Sequence, residues 1–269
     1  MDLSHGQPFF PPISIHQGSK EDYADSEVIV ITAGAGQKPG ETRLQLLQKN
    51  ASIVESIMDD IVEQDSNAVI VVVANPVDIL TKVALEHSGW KREQVIGSGT
   101  VLDTSRFRYL LSQHFDVDVR NVHAYILGEH GDSEVAAWSM AHLAGLPIEE
   151  YVKRYKDSET WPAIQKELEQ EVRDSAYHII DYKGATYFAI GMALNRIVGS
   201  ILQRQRSLLT VSVKLDGEYG MDDVCMSVPC IVSDGGVRRI LEADLTNEEL
   251  MGLRKSGKVL HDALDELGR

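Results

Sequence analysis

Three predicted strands of this chain end in small or polar residues, and an open parallel sheet binds its ligands at such strand ends. The three segments are residues 33–36 (AGAG), 75–78 (NPVD) and 97–99 (GSG). Small residues let a ligand approach the backbone closely, so the chemistry that these segments suggest is the binding of a small molecule. Glycine and alanine after a strand are also common in ordinary turns. Each segment alone therefore leaves both interpretations open.

The usual dinucleotide fingerprint, G-x-G-x-x-G/A with an acidic residue about 20 positions later, is not found at these strand ends. The segment 34–36 (GAG) is followed by Gln-Lys-Pro, and the segment 97–99 (GSG) is followed by Thr-Val-Leu. Neither segment has the third small residue that opens a helix. Motif rules alone therefore leave a nucleotide site undecided.

The first half of the sequence alternates short β-branched runs with longer helical patterns, which must position these strand ends. Strands are predicted over residues 28–32, 68–73 and 95–96, and helices over 42–61, 79–87 and 104–114. A continuous apolar run such as VIVI at 28–31 is typical of a strand that is buried on both faces. The alternation of strand and helix predicts βαβ units and a parallel sheet.

The second half of the sequence has a different pattern. It predicts a strand over 122–127, helices over 161–171 and 175–203, strands over 209–215 and 227–233, and a final helix around 250–267. Strands and helices that are segregated in this way are typical of an α+β layout. We therefore place a domain boundary between residues 120 and 135.

The composition is that of an ordinary globular protein, with 43% hydrophobic and 25% charged residues. Lysine and arginine number 26 against 41 acidic residues, and the net charge of -15 argues against nucleic acid or a membrane as a partner. The two cysteines, Cys225 and Cys230, are too few for a disulfide framework. No apolar run approaches the ~20 residues of a membrane span, and no signal peptide is recognisable. These features predict a cytoplasmic protein, and no metal-ligand pattern is found.

Five motifs form an ordered set over nearly the whole chain. They are residues 32–43 (TAGAGQKPGETR), 75–78 (NPVD), 97–108 (GSGTVLDTSRFR), 128–134 (GEHGDSE) and 183–186 (KGAT). In sequence and order this set resembles the bacterial L-lactate dehydrogenases. The resemblance implies an NAD-dependent oxidoreductase that interconverts pyruvate and L-lactate in glycolysis and fermentation. It also implies an α/β fold, with an incomplete Rossmann-type parallel sheet in residues 1–125 followed by an α+β catalytic domain in residues 126–269.

The resemblance implies catalytic roles for His130, Asp103 and Arg43. His130 would act as the general acid/base, because imidazole titrates near neutral pH. Asp103 would hydrogen-bond the far ring nitrogen, and Arg43 would polarise the substrate carbonyl from a segment expected to close as a lid. Arg106, one helical turn after Asp103, would bind the substrate carboxylate with its planar fork. Without the motifs, a helix N-cap for Asp103 and a surface ion pair for Arg106 are the simpler interpretations.

Substrate class is expected to depend on Gln37, which stands where the malate dehydrogenases of the superfamily carry an arginine. A neutral glutamine leaves a second substrate carboxylate unpaired, so the residue favours a monocarboxylate such as pyruvate. Asn75 and Thr186 would also contact the substrate. Contacts with NAD are implied for seven residues: Gly34, Ala35, Ser56, Val73, Ala74, Asn75 and Ser98.

Arg108 and His123 match positions that bind fructose 1,6-bisphosphate across a two-fold subunit interface in allosteric bacterial members of the family. Two cations from each of two subunits would surround one phosphate-rich ligand. The resemblance therefore implies an activator site and a homo-oligomer, with a tetramer as the usual state. A surface arginine and a histidine at a strand end are the alternative interpretations.

The resemblance also implies that the family's first strand, its glycine-rich turn and the acidic residue that binds the adenosine ribose would precede Met1. A complete βαβ unit takes at least ~30 residues. We therefore expect a nucleotide-binding half that is N-terminally truncated, from an internal start or a real truncation, and that binds NAD poorly or not at all. Two alternatives stay open: a dehydrogenase of a bulkier 2-hydroxy monocarboxylate, and an inactive oligomerising fragment of such an enzyme.

Overall fold

The computed structural model describes residues 2–9, 11–36 and 40–268 of the chain. Its α-helices are α1 (Asp2–His5), α2 (Arg43–Glu63), α3 (Val77–Ser88), α4 (Val101–Phe115), α5 (Ile148–Tyr155), α6 (Trp161–Lys183), α7 (Phe188–Leu202) and α8 (Asn247–Leu267). Its strands are β1 (Val28–Ile31), β2 (Val69–Val72), β3 (Val95–Gly97), β4 (Val122–His123), β5 (Ile126–Leu127), β6 (Val135–Ala136), β7 (His142–Leu143), β8 (Leu146–Pro147), β9 (Ser207–Asp216), β10 (Asp222–Ser233) and β11 (Gly236–Ile240). The helices and strands of the first half confirm the predicted βαβ order.

A six-stranded mixed sheet runs through both halves of the chain in the order β1-β2-β3-β9-β10-β11. β1, β2 and β3 are parallel, as the sequence predicts. β3 pairs antiparallel with β9 at Gly97 and Ser212, and β9, β10 and β11 continue the sheet in antiparallel order. Strands of both halves therefore share one sheet, and the division of the chain near residue 125 stays a prediction.

The parallel part of the sheet is buried between helices. All four residues of β2 are inaccessible, and α2 packs against the sheet through Val54, Met58 and Ile61 at helical spacing. Helix α2 begins at Arg43 because Thr42 and Gln45 form a capping box, in which each side chain accepts a hydrogen bond from the other residue's backbone amide. This cap fixes where Arg43 leaves the loop that follows β1.

Two predicted elements of the second half are wrong in their bounds. The run at 122–127 is not one strand: β4 pairs with β7, β5 pairs with β6, and two residues separate them. The predicted helix break near residue 173 is absent, and α6 continues to Lys183. It ends there because Gly184 adopts a left-handed conformation at φ 82° and donates its amide to the Ile180 carbonyl.

Within the described ranges, no helix has the length and apolar character that crossing a membrane requires. The same residues contain no cluster of three or more histidine, cysteine, aspartate or glutamate side chains arranged to hold a metal ion. Cys225 and Cys230 are both buried free thiols, and burial raises the pKa of each far above its usual range.

Candidate active site

Helix α4 carries two side chains of the predicted site on one face. It follows β3 through Gly99, whose φ of +51° is left-handed and whose missing Cβ leaves room for the backbone of β9. Asp103 and Arg106 lie three residues apart on the helix, so they share a face. Arg106 Nη1 donates to Asp103 Oδ1 at 2.8 Å, and both side chains are largely buried. The turn after β3 therefore places this pair at the edge of the sheet.

His130 lies in the loop between β5 and β6, and its ring is joined to the same aspartate. The distance from His130 Nδ1 to Asp103 Oδ2 is 2.6 Å, so Asp103 uses one oxygen for the imidazole and the other for Arg106. Burial by itself lowers the pKa of His130, but the charge and hydrogen bond of Asp103 outweigh it and raise the pKa to about 9. Burial by itself raises the pKa of Asp103, but His130 and Arg106 outweigh burial and hold this pKa below its usual value.

The backbone of His130 has a second anchor that was not predicted from the sequence. Its amide donates to Asp78 Oδ2 at 2.8 Å, and Asp78, in the first turn of α3, is only 2% exposed. Burial raises the pKa of Asp78 to about 6, although the Ser212 hydroxyl and the His130 amide both lower it. The sequence signal for Asp78 was its place in the NPVD segment after β2, and its partner lies 52 residues further along the chain.

Asp103, Arg106 and His130 lie at a cavity of about 800 Å³, and Asp78 does not line it. Four predicted residues line it together with Asp103, namely Arg43, Asn75, Arg106 and His130. The lining also includes ionisable residues that were not predicted: Glu129, Asp132, Glu134, Arg173, Tyr177 and Lys255. The lining has four arginine and lysine residues and four aspartate and glutamate residues, whereas the whole chain has 26 against 41. The cavity is therefore richer in cations than the chain as a whole, which suits a small anionic ligand.

Glu134 is a buried carboxyl group at the wall of this cavity. It is 8% exposed, and its Oε1 has no hydrogen-bond partner among the described residues. Burial and the charge of Asp103 raise its pKa to about 8, against the opposing effects of His130, Arg173 and Arg106. The group is therefore largely neutral at pH 7 in this structure. Only its position in the GEHGDSE segment pointed to the site.

The loops after β1 and β2 are held together by Asn50, a buried residue of α2. The Asn50 side chain accepts from the Ala35 amide at 2.8 Å and donates to the Asn75 carbonyl at 3.0 Å. A Cβ at Gly34 would come within 3.3 Å of Ala74, so these two loops approach closely. The two loops thus form one small-residue rim at the carboxyl end of the sheet, next to the cavity that Asn75 lines. This arrangement fits the reactive end of a dinucleotide, whose approach needs small residues at that edge.

Other predicted residues are not brought to the cavity lining. Thr186 is half-buried between α6 and α7, Ser56 lies on the exposed side of α2, and Ser98 is buried after β3. Gly34, Ala35, Val73 and Ala74 belong to the adjoining loops and do not line the cavity themselves. Gln37 lies outside the described residues.

Arg108 and His123 line a second cavity, of about 590 Å³, between α4 and α7. Arg108 Nε donates to the Val122 carbonyl at 2.7 Å, which ties the guanidinium to β4. Arg196 of α7 is a further basic residue at this cavity, and none of the described residues that line it is a carboxylate. Arg108 and His123 were predicted from the sequence, and Arg196 was not.

The comparisons with known proteins cover both halves of the chain. Residues 1–97 match the family model of the lactate/malate dehydrogenase NAD binding domain, and residues 100–268 match that of the lactate/malate dehydrogenase alpha/beta C-terminal domain. The chain is 55% identical over 267 residues to an L-lactate dehydrogenase of Treponema denticola, covering 99% of this chain and 85% of that protein. It is 49% identical to L-lactate dehydrogenase 1 of Clostridium acetobutylicum, with the same coverage.

Solved structures give the same result. MGS-M5, a lactate dehydrogenase enzyme from a Medee basin deep-sea metagenome library, superposes with a TM-score of 0.96 at 41% identity, covering 100% of this chain and 85% of that one. The minor L-lactate dehydrogenase of Enterococcus mundtii in its ligands-bound form superposes with a TM-score of 0.93 at 42% identity, covering 98% and 84% of the two chains.

The fold and the matches define an α/β oxidoreductase with an NAD-binding domain, and the cofactor that this domain indicates is NAD. The chain belongs to the lactate/malate dehydrogenase family, and within it to the L-lactate dehydrogenase type.

Proposed function

We propose that the chain interconverts pyruvate and L-lactate, with His130 as the general acid/base. The observation that carries this proposal is the Asp103 carboxylate, which binds His130 Nδ1 with one oxygen and Arg106 with the other at the edge of one cavity. A proton donor and a carboxylate-binding guanidinium are thereby held at a fixed separation. A 2-oxo acid presents its carbonyl and carboxylate on adjacent carbons, so it needs both groups close together.

His130 exchanges the proton in this scheme. With Nδ1 directed at Asp103, the Nε2 atom is free to donate to the carbonyl oxygen of pyruvate or to accept the hydroxyl proton of lactate. The charge of Asp103 favours the imidazolium, which is the form that pyruvate reduction requires. Reduction of pyruvate therefore slows as pH rises through about 9, and oxidation of lactate accelerates over the same range.

The arginines bind and polarise the substrate. Arg106 binds the carboxylate through its planar guanidinium, and its ion pair with Asp103 prevents the side chain from swinging away. Arg43, at the first turn of α2, stabilises the negative charge that develops on the carbonyl oxygen. Asn75 contributes a further hydrogen bond from the loop after β2. Substrate-binding roles for Gln37 and Thr186 are proposed from the family resemblance alone.

NAD supplies and accepts the hydride when it is bound. Val73, Ala74 and Asn75, on the rim that Asn50 holds together, would hold the cofactor near the cavity, with Gly34 and Ala35 beside them. The small residues would allow its close approach. Ser56 and Ser98 stay as cofactor residues on the family resemblance alone.

The decisive experiment compares His130→Asn with the parent in pyruvate-dependent oxidation of NADH. Loss of a general acid lowers kcat by about 100- to 10,000-fold, while the affinity for NADH, measured by fluorescence titration, stays within about twofold. His16→Asn, at an exposed position, is the matched control and keeps full activity. Full activity of His130→Asn would refute the proposal. Parallel assays with bulkier 2-oxo acids decide whether pyruvate is the preferred substrate.

The second cavity supports regulation by an anion. Arg108 and His123 would bind fructose 1,6-bisphosphate, and the lack of carboxylates among its described lining residues suits a phosphate ligand. We propose that the ligand activates the enzyme across a subunit interface of a cytoplasmic homotetramer, as part of glycolysis and fermentation. Fructose 1,6-bisphosphate is expected to lower KM for pyruvate in the parent and to have no effect on Arg108→Gln. Sedimentation analysis with and without the ligand measures the subunit number.

A further inference from the structure

His130 is attached to the fold at two points, and each point is a carboxylate on a different helix. Asp103 of α4 holds the ring at Nδ1, and Asp78 of α3 holds the main-chain amide through Oδ2 at 2.8 Å. The loop that carries His130 is therefore fixed both at its backbone and at the tip of its side chain. Two such attachments restrict where the free ring nitrogen points much more than one does.

Asp78 is an unusual acceptor for a main-chain amide. The residue is 2% exposed, and its Oδ1 has no hydrogen-bond partner among the described residues. The Ser212 hydroxyl of β9, which lies close enough to lower the pKa of Asp78, likewise makes no regular hydrogen bond. A buried carboxylate with an unpaired oxygen is costly unless a nearby charge offsets it. A carbonyl or a water molecule could have accepted the amide without that cost.

The charge of His130 also acts on Asp78. Among the groups that affect the pKa of Asp78, His130 lowers it and Glu129 raises it. The pKa of His130 is in turn raised by three carboxyl groups, most strongly by Asp103, then by Asp78 and then by Glu134. The first turn of α3 adds the positive end of a helix dipole beside the carboxylate.

Other charged groups also reach this region and must be kept constant in a test. Arg106 of α4, Arg173 of α6, Lys255 of α8 and Arg43 of α2 line the same cavity as His130, and so do Glu129 and Asp132 from its own loop. None of them contacts the His130 amide in the described residues. A substitution at Asp78 that leaves these groups in place therefore isolates its contribution.

We propose that Asp78 is a positioning residue for His130: its carboxylate fixes the main chain of the loop, and its charge adds to that of Asp103 in stabilising the imidazolium. This inference rests on the proposed role of His130. It extends that role, because it explains why the NPVD segment after β2 carries an aspartate that does not line the cavity. Helix α3, which follows β2 after a short loop, thereby positions the acid/base group of a loop that is distant in sequence.

The test uses Asp78→Asn, which keeps the shape and an acceptor oxygen but removes the charge. Selective ¹⁵N-histidine labelling of the full chain reports the ring and amide of each histidine, and His130→Asn assigns the signals. We expect the pKa of His130 to fall by roughly half to one unit in Asp78→Asn. Asp59→Asn removes one exposed carboxylate that contacts His87, and it is expected to leave His130 unchanged. An unchanged His130 titration in Asp78→Asn would overturn the inference.

A second measurement needs no substitution at Asp78. The His130 amide signal of the parent is expected to titrate near pH 6 together with its acceptor, the Asp78 carboxylate. An amide signal that shows no such step would contradict the inference. These readouts do not depend on turnover, so a chain without activity towards pyruvate would refute the proposed function and still decide the role of Asp78.

Activity provides a third readout. Asp78→Ala removes both the acceptor and the charge, so the proton donor loses its fixed position while Arg106 keeps its ion pair. We expect kcat for pyruvate reduction to fall at least ~10-fold with KM changed less than about twofold, and the alkaline limb of the pH profile to move to lower pH. A purely structural role would lower the melting temperature without moving that limb.

Discussion

The side chain of Asn50 donates a hydrogen bond to the main-chain carbonyl of Asn75 at 3.0 Å, across 25 positions of sequence. The same amide group accepts from the backbone of Ala35. One buried residue of α2 therefore joins the loop after β1 to the loop after β2, and these loops form the rim on which we place the reactive end of NAD. The position of the rim depends on a residue that contacts no substrate.

Asn50→Ala is expected to weaken both the fold and the rim. It removes these hydrogen bonds and leaves partly buried backbone groups without their protein partner, so the free energy of unfolding should fall by about 1–2 kcal/mol in urea titration. KM for NADH should rise, because the two loops are no longer joined. Ser52→Ala is the control, since the exposed Ser52 hydroxyl bonds only to a carbonyl within its own helix. Equal stability of the two variants would show that the Asn50 contacts contribute little.

Glu134→Gln is expected to change how stability depends on pH. Burial raises the pKa of this carboxyl group to about 8, from about 4.5 in the unfolded chain. Between these values the folded protein binds more protons at this site than the unfolded one, so the parent loses stability as pH rises through that window. Glutamine carries no charge at any pH. The variant should therefore gain stability over the parent as pH rises from 5 to 8, by on the order of 1–3 kcal/mol.

The control for this comparison is Glu150→Gln, at an exposed position paired with Arg154. Its difference from the parent should change much less over the same pH range, because an exposed charge keeps its hydration in the folded protein. Unfolding by urea at several pH values measures both differences. If the Glu134→Gln difference is flat with pH, the carboxyl group is ionised in the folded protein and our description of it is wrong.

Gly99 and Gly89 are both left-handed glycines, but only one of them faces packed backbone. A Cβ at Gly99 would lie 2.5 Å from the Ser212 amide nitrogen, whereas a Cβ at Gly89 meets nothing within 4 Å. Gly89→Ala should therefore cost only the conformational strain of about 1 kcal/mol. Gly99→Ala should cost at least ~3 kcal/mol more, because β9 must move. Thermal unfolding of the two variants measures the difference, and similar melting temperatures would contradict it.

Much of the first half could be predicted from the sequence, because local patterns determine it. The apolar run of β2 and the spacing of Val54, Met58 and Ile61 on α2 report burial directly, and the structure confirms them. The end of α6 could not be placed in this way, since no periodicity distinguishes Gly184 as the residue that closes the helix. The strand at 122–127 was predicted as one element because pairing partners, and not the run itself, divide it.

In the candidate site, as in the fold, local motifs identified some residues and only the folded structure revealed the others. His130, Asp103 and Arg106 were assigned through motifs, and the structure brings their side chains together. Asn50 and Asp78 were not assigned roles, because each is buried and has its partner far away in sequence. Glu134 was not assigned a role, because its burial depends on the packing of the folded chain. A polar residue in a predicted buried position is the one sequence signal that could have identified Asn50 and Asp78.

Arg106→Lys tests the carboxylate-binding role most directly, because it keeps the charge and removes the planar fork. Arg106 already uses Nη1 for Asp103 Oδ1, so a guanidinium is needed to hold that contact and a substrate carboxylate together. Lysine offers one ammonium group for both, and we expect kcat/KM for pyruvate to fall at least ~100-fold, or about 3 kcal/mol of transition-state stabilisation. Arg154→Lys, in an exposed helical pair with Glu150, should leave kcat/KM unchanged. The titration of His130 should shift only slightly in Arg106→Lys, because the positive charge beside Asp103 remains. A variant that keeps parental kcat/KM would exclude Arg106 as the carboxylate-binding residue.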